Sequence, residues 1–177
     1  MASGPRKQER WNLYGTATVT YDQKSGRVTL PADWEDINRH IAKITPNPEG
    51  EYLELRNAHF YDEFVSNVRT ALKDQDLACI QAILVDYVGL TADLQIDANL
   101  RVIIPKRFRD IFDNSDQAVL VAIGDVIQIW PAELYEKAQQ SRREALRQGY
   151  QNIAKKLIMG VSHEEEVEVD ESQHWFG

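Results

Sequence analysis

Cysteine is nearly absent from this sequence. Cys79 is the only cysteine in 177 residues, so no internal disulfide can form, and the composition does not fit a secreted, disulfide-rich scaffold. A reducing compartment such as the cytoplasm is therefore expected. Because Cys79 lies in the apolar run LACIQAILV, we expect a buried structural thiol without a catalytic role.

Long apolar stretches and ligand-binding motifs are missing as well. No run approaches the roughly 18 apolar residues of a membrane span, and no apolar segment follows the charged N-terminus as in an export signal. The sequence contains no glycine-rich phosphate loop, cysteine-rich zinc motif or nucleophile motif. We therefore expect no membrane segment, no cofactor, no metal and no catalytic site. His40 and His59 are expected at the surface or at helix ends.

Positive charge is in the minority, with 20 Lys and Arg against 28 Asp and Glu. Six acidic residues follow Gly160, where no Lys or Arg occurs, so residues 1–160 carry only −8 + 6 = −2. A local basic surface is therefore permitted in the body of the chain. We expect the acidic tail to be disordered, although its aromatic end could dock on a protein partner and its acids could mask a basic DNA-binding face.

The sequence does contain an internal repeat. GRVTLPADW at 26–34 returns as LRVIIPKRF at 100–108. A gapless shift of 74 residues matches glycine, charged, proline and apolar positions: Gly15 with Gly89, Arg27 with Arg101, Pro31 with Pro105, and Ile37 with Ile111. Such matches fix turns and core faces, so the sequence predicts two copies of one folding unit.

The sequence of each unit predicts the same order of elements: a strand, a charged turn, a second strand ending at proline, a short amphipathic helix, a hairpin and a helix. In the second unit RVIIP is the strand and KRFRDIF the short helix. Gly124 and Asp125 separate two apolar runs, which predicts a hairpin turn, and Pro131 opens a helix. The mixed charge of that last helix is typical of an exposed face or a subunit interface.

The segments QIDANLRVIIPKRFRDIF and AVLVAIGDVIQIWPAELYEKA resemble the second repeat of the MraZ family of bacterial transcriptional regulators, and GTATVTYDQKSGRVTLPADW is similar to its first. The resemblance implies an α+β fold, a duplicated AbrB-like swapped-hairpin β-barrel pseudo-dimer with flanking helices. One chain would then supply both halves of an interlocked barrel. It further implies ring-like homo-oligomers that bind double-stranded DNA repeats upstream of cell-division and cell-wall genes.

This resemblance suggests a division of the chain into five segments. They are an N-terminal extension (1–12), the first AbrB-like repeat with its helix (13–75), a connecting helix (76–88), the second repeat with its helix (89–158) and the acidic tail (159–177).

In the second repeat, Asp97 and Arg101 match the D-x-x-x-R pattern of the family. An arginine presented by a strand pair can make paired hydrogen bonds to guanine or phosphate, which makes Arg101 a DNA-contact candidate. The alternative is an Asp97–Arg101 ion pair that only holds the turn, and the sequence leaves both interpretations open. Leu100 replaces the glycine of the family, so a change of loop shape is expected.

In the first repeat, the turn DQKSGR has one extra residue, which puts Asp22 in the place of the patterned aspartate. Lys24 and Arg27 make this turn positive, and Gly26 keeps it flexible. DNA contact is the favoured role of these two cations, and an ordinary polar hairpin tip is the alternative.

The segments after the two prolines differ in charge. Lys106 and Arg107 are secondary candidates for DNA contact, with a solvated rim as the alternative. The corresponding acids of the first repeat, Asp33, Glu35 and Asp36, either point away from DNA or weaken its binding.

The sequence thus predicts a non-enzymatic, sequence-specific DNA-binding regulator that is cytoplasmic and nucleoid-associated and acts as a homo-oligomer. The alternative is a structural or protein-interaction member of the same fold whose DNA binding is weakened or lost. An antitoxin-like module is a weaker variant of that alternative.

Overall fold

The structure is a computed structural model and describes residues 9–159. Predictions about the acidic tail beyond Gly160 therefore lie outside the described residues. The chain divides into two compact units, one that extends to Ala138 and one that begins at Gln139.

Eight strands and three α-helices make up the described chain. The strands are β1 (Leu13–Thr20), β2 (Arg27–Thr29), β3 (Ile41–Pro46), β4 (Leu53–Asn57), β5 (Ala92–Gln95), β6 (Arg101–Ile103), β7 (Gln117–Gly124) and β8 (Val126–Pro131). The helices are α1 (Tyr61–Ala71), α2 (Leu77–Asp86) and α3 (Ala132–Ile158). Short 3₁₀-helices span Ala32–Ile37, Ala58–Phe60, Val88–Leu90, Lys106–Phe108 and Asp110–Phe112.

Both repeats contribute to each of two antiparallel sheets. The larger has the order β1-β7-β8-β4-β3-β5, and the smaller is the pair β2-β6, which we call the ribbon. β1 of the first repeat pairs with β7 of the second, and β5 of the second pairs with β3 of the first. The pairing is therefore reciprocal. A mixed α/β fold with antiparallel sheets, as the sequence predicted, is confirmed.

Equivalent residues meet where the repeats face each other. In the ribbon Val28 lies opposite Val102, and in the larger sheet Glu54 lies opposite Gln128. Each pair is 74 residues apart in sequence. The two sheets share one core, because the buried apolar cluster includes the valines of the ribbon together with residues of β3, β4, β7 and β8.

The prediction that one shift of 74 residues relates the two repeats without a gap is wrong for some of the strands. Asn57 and Pro131 are 74 apart, yet their strand partners Ala42 and Ala118 are 76 apart. Loops absorb such insertions easily because they lie at the surface. The short helix after each proline forms, but as 3₁₀ turns that bury Trp34 in the first repeat and Phe108 in the second.

The hairpin and the last helix follow the predicted signals. Ile123 pairs with Val126, so Gly124 and Asp125 form the turn between β7 and β8, and Gly124 has φ +69°. α3 begins directly after Pro131. Both predictions are confirmed, because a left-handed turn residue and a helix-opening proline act locally.

Two residues lie in other environments than the sequence suggested. His40 is buried, and its Nδ1 accepts a hydrogen bond of 3.1 Å from Nε1 of Trp11, itself part of the core. Cys79 is only half-buried, because α2 buries none of its residues within one chain despite its apolar composition. Within residues 9–159, no helix is long and apolar enough to span a membrane.

Candidate nucleic-acid interface

The ribbon exposes one of its two faces. Val28 and Val102 point into the core, and the residues beside them are exposed, since alternate side chains of a strand project to opposite faces. Arg27 lies opposite Ile103, and Thr29 lies opposite Arg101. The two arginines are therefore placed reciprocally on either side of the central valine pair, on the same outer face.

The first tip, residues 22–27, leads into β2. The Asp22 carboxylate accepts hydrogen bonds from the Lys24 N–H at 2.9 Å and the Ser25 hydroxyl at 2.8 Å. The Ser25 hydroxyl, followed by the Lys24 N–H, lowers the pKa of Asp22. Asp22 therefore stays ionised and holds a turn from which Lys24 and Arg27 are both exposed.

The second tip, residues 97–101, leads into β6. The Asp97 carboxylate accepts from the N–H groups of Asn99 and Arg101, each at 2.8 Å. It also accepts from Nε of Arg101 at 2.6 Å. Burial acts to raise the pKa of Asp97, but the Arg101 N–H and guanidinium, together with the Asn99 N–H, lower it overall.

The two ribbon arginines differ in how they are held. The Arg101–Asp97 ion pair is present, and the side chains are 43% and 38% exposed. It engages Nε of the guanidinium and so orients Arg101 while leaving it accessible. Arg27 has no ion-pair partner within residues 9–159.

Leu100 does not change the shape of the second tip, contrary to expectation. It adopts φ +61°, close to the +72° of Gly26 at the equivalent position. The flanking hydrogen bonds also correspond, because Leu30 N–H donates to Leu100 O at 2.8 Å and Ile104 N–H to Gly26 O at 2.9 Å. The Leu100 side chain is buried in the core, which offsets a backbone cost of about 1–2 kcal/mol.

Gly26 is needed for space as well as for its backbone conformation. Arg109 crosses the first tip and donates from Nε to the carbonyl of Ile104 at 2.7 Å. A Cβ built on Gly26 would lie 2.3 Å from that Nε. The first tip is thus covered by an arginine of the second repeat.

Gly26→Ala is expected to destabilise the protein more than Gly50→Ala. Gly50 has the same φ of +72° but open space around its missing Cβ, so it isolates the backbone cost of about 1 kcal/mol. At Gly26 we expect at least about 1 kcal/mol more, because Arg109 must leave its carbonyl partner. Urea unfolding of both variants measures the difference, and equal values would contradict the packing role of Arg109.

The two secondary candidates are held differently. Arg107 donates to the carbonyls of Leu90 and Thr91 at 2.9 and 3.2 Å and therefore braces the loop before β5. The Lys106 side chain is exposed and has no hydrogen-bond or ion-pair partner within the described chain. On the first repeat the corresponding 3₁₀-helix exposes Asp33, Glu35 and Asp36. The two flanks of the ribbon are therefore opposite in charge.

Three further residues that were not predicted from the sequence belong to this surface. Thr29 and Ile103 share the outer face with the arginines, and the alternation within RVT and RVI could have indicated them. Arg39 is exposed beside the second tip, where its N–H points to the Asp97 carbonyl at 3.5 Å. Only the folded chain brings Arg39 there. Among residues 9–159, no group of three or more potential metal ligands is found.

The match to a protein-family model concerns the second repeat. Residues 89–157 match the family model described as "MraZ protein, putative antitoxin-like". The predicted resemblance to the MraZ family is confirmed. The matched residues include the second tip and β6, and so one of the two ribbon arginines.

Relatives of the chain carry the same family name. "Transcriptional regulator MraZ" of Xylella fastidiosa (strain 9a5c) is 26% identical over 130 residues, which cover 68% of this chain and 83% of the relative. The MraZ regulator of Xanthomonas oryzae pv. oryzae is 27% identical with the same coverage. That of Phenylobacterium zucineum is 34% identical over 62 residues, covering 35% of this chain and 39% of the relative.

Proposed function

We propose that this chain is a non-enzymatic, sequence-specific DNA-binding transcriptional regulator, cytoplasmic and nucleoid-associated. The observation that carries the proposal is the reciprocal placement of Arg27 and Arg101 on the exposed face of the ribbon. The names of the relatives support the regulatory role.

The chemistry of the ribbon suits a DNA groove. A two-stranded β-ribbon fits the major groove, and a guanidinium can bind the O6 and N7 of guanine with two parallel hydrogen bonds. Asp97 would fix the direction of Arg101 through Nε, while Arg27 would adjust freely. Lys24 and Lys106 would contact phosphates at the edges, and Arg107 would mainly support the loop.

The pairing of strands supports an AbrB-like swapped-hairpin barrel in which one chain acts as a pseudo-dimer. Each repeat donates its first strand to the other repeat, and equivalent residues meet at the centre of the ribbon. In this arrangement the two tips would lie on one side of the barrel and act together on one DNA site.

A ring-like homo-oligomer would make binding by so few cations effective. Once one subunit of the ring is bound, its linked neighbours meet the adjacent DNA repeats at a high effective concentration. The repeated sites would lie upstream of cell-division and cell-wall genes. The exposed apolar surface of α2, where Leu77 and Val85 are 70% and 64% exposed, supports such an assembly.

The test is binding to DNA from the upstream region of this gene, measured across salt concentrations. Arg27→Gln and Arg101→Gln should each weaken binding by about 1–3 kcal/mol if they contact bases, and removal of a cation that binds phosphate should reduce the salt slope by about one. Arg69→Gln, an exposed arginine on α1, is the matched control and should leave binding unchanged. Circular dichroism and sedimentation verify fold and assembly of each variant.

A second candidate, a protein-interaction member of the same fold, is favoured by the exposed acids Asp33, Glu35 and Asp36. A wild-type protein that is folded and oligomeric, yet ignores its upstream DNA with and without the residues beyond Gly160, would support this candidate and contradict the regulator.

A further inference from the structure

The C-terminal part of α3, from residue 139 onward, exposes an apolar stripe. Leu146, Tyr150, Ile153 and Leu157 follow one another at spacings of four, three and four residues, so they line one side of the helix. None is buried, and their exposed fractions range from 57% to 77%. Tyr150 also borders a shallow depression together with Ala154 and Ile158. A continuous exposed stripe of this kind marks a docking surface.

The net charge of this part of the helix limits what can dock there. Residues 139–159 contain one acid, Glu144, and five cations: Arg142, Arg143, Arg147, Lys155 and Lys156. Their sum is +5 − 1 = +4. Two copies of this helix packed along their stripes would bring like charges together, which is unfavourable. The fitting occupant is therefore a segment that is both acidic and apolar.

We propose that the C-terminal segment of the chain itself, residues 161–177, binds to this stripe. The segment contains no Lys or Arg and six acids: Glu164, Glu165, Glu166, Glu168, Asp170 and Glu171. Apolar residues accompany these acids: Val167, Val169, Trp175 and Phe176. Its charge of −6 complements the +4 of the helix, and its aromatic end matches the depression beside Tyr150.

Chain length permits this contact. The stripe from Leu146 to Leu157 is about 17 Å long at 1.5 Å per residue. The segment follows the same helix directly and could reach up to about 60 Å if extended. Covalent attachment also gives it a high effective concentration, so even a weak contact would be occupied.

The experiment titrates a fluorescent peptide of residues 161–177 into the chain that ends at Gly160. Saturable binding is expected, and the full-length protein should bind the peptide about tenfold more weakly because its own segment occupies the stripe. Arg143→Glu/Arg147→Glu, at positions three residues before Leu146 and Tyr150 and so beside the stripe, should weaken binding to the shortened chain by about tenfold. Tyr150→Ser/Leu157→Ser should weaken it by about the same factor. The control is Arg69→Glu/Lys73→Glu, a charge reversal of equal size on and beside α1, which should leave peptide binding unchanged.

Several results would overturn the proposal. One is a shortened chain that is folded and oligomeric but does not bind the peptide. Another is a shortened chain that associates further and ignores the peptide, which would assign the stripe to a second copy. Loss of peptide binding in Arg27→Gln/Arg101→Gln would place the segment on the ribbon instead. This measurement uses no DNA, so it succeeds or fails independently of the regulator proposal.

Discussion

Phe112→Ala is expected to lower the free energy of unfolding by about 3–5 kcal/mol, the usual cost of removing a fully buried aromatic ring. Phe112 is 0% exposed and belongs to the second repeat, yet its ring stacks on Tyr21 of the first repeat, with centroids 4.4 Å apart. Its backbone carbonyl also accepts a hydrogen bond from Gln23 of the first tip. The substitution therefore opens a cavity where the repeats interlock beneath that tip.

Urea unfolding at a fixed protein concentration measures this effect, since assembly would make the apparent stability concentration-dependent. The control is Tyr150→Ala in the chain that ends at Gly160, which lacks the proposed C-terminal contact; it removes an aromatic ring that is 72% exposed and should change the stability of that chain by less than about 0.5 kcal/mol. A loss below about 1 kcal/mol for Phe112→Ala would mean that the two repeats do not share the core described above.

Glu54→Leu is expected to cost about 3–5 kcal/mol, because it leaves a poorly solvated cation without its counter-charge. Glu54 is 7% exposed and forms an ion pair of 3.1 Å with Arg56, whose side chain is 15% exposed. The Arg56 guanidinium lies 3.8 Å from the centroid of the Phe64 ring. The Tyr87 hydroxyl donates to the same carboxylate, and burial together with this hydrogen bond raises the pKa of Tyr87.

A double-mutant cycle tests this network. The loss of unfolding free energy in Glu54→Leu/Arg56→Met should be clearly smaller than the sum of the losses in the two single variants, because the double variant removes both charges together. Additive losses would contradict the pairing. Glu54→Leu should also lower the pKa of Tyr87 toward its usual value, which a titration of tyrosinate absorbance detects, because the carboxylate no longer disfavours the phenolate.

Several features of the fold could be predicted because their signals are local. Gly124 and Asp125 indicate the β7–β8 hairpin, and Pro131 indicates the start of α3. The extra turn residue of the first tip could also be predicted from the sequence. In the structure Asp22 and Asp97 correspond, because each carboxylate accepts a hydrogen bond from the backbone N–H two residues later. These signals act within a few residues through backbone conformation, so they survive in any tertiary setting.

The candidate site was only partly predictable. The composition of the tips identified Arg27 and Arg101, and their contact with DNA stays a prediction. The engagement of Arg107 with the Leu90 and Thr91 carbonyls could not be anticipated, because those groups lie 17 and 16 residues away and meet it only after folding. The same holds for Arg39 beside Asp97.

The sequence by itself determined the 74-residue correspondence of the two halves, because matching residue types recur at that offset. It also determined the alternation within the strands and the cations of the tips, Lys24 and Arg27 in the first and Arg101 in the second, since these are patterns of neighbouring residues. Only the tertiary structure decided that β1 pairs with β7 and β5 with β3, because strand pairing over such separations depends on the shared core and not on local preference. It also decided that Leu100 keeps a left-handed backbone. Burial of its side chain there outweighs a local preference that by itself favours glycine.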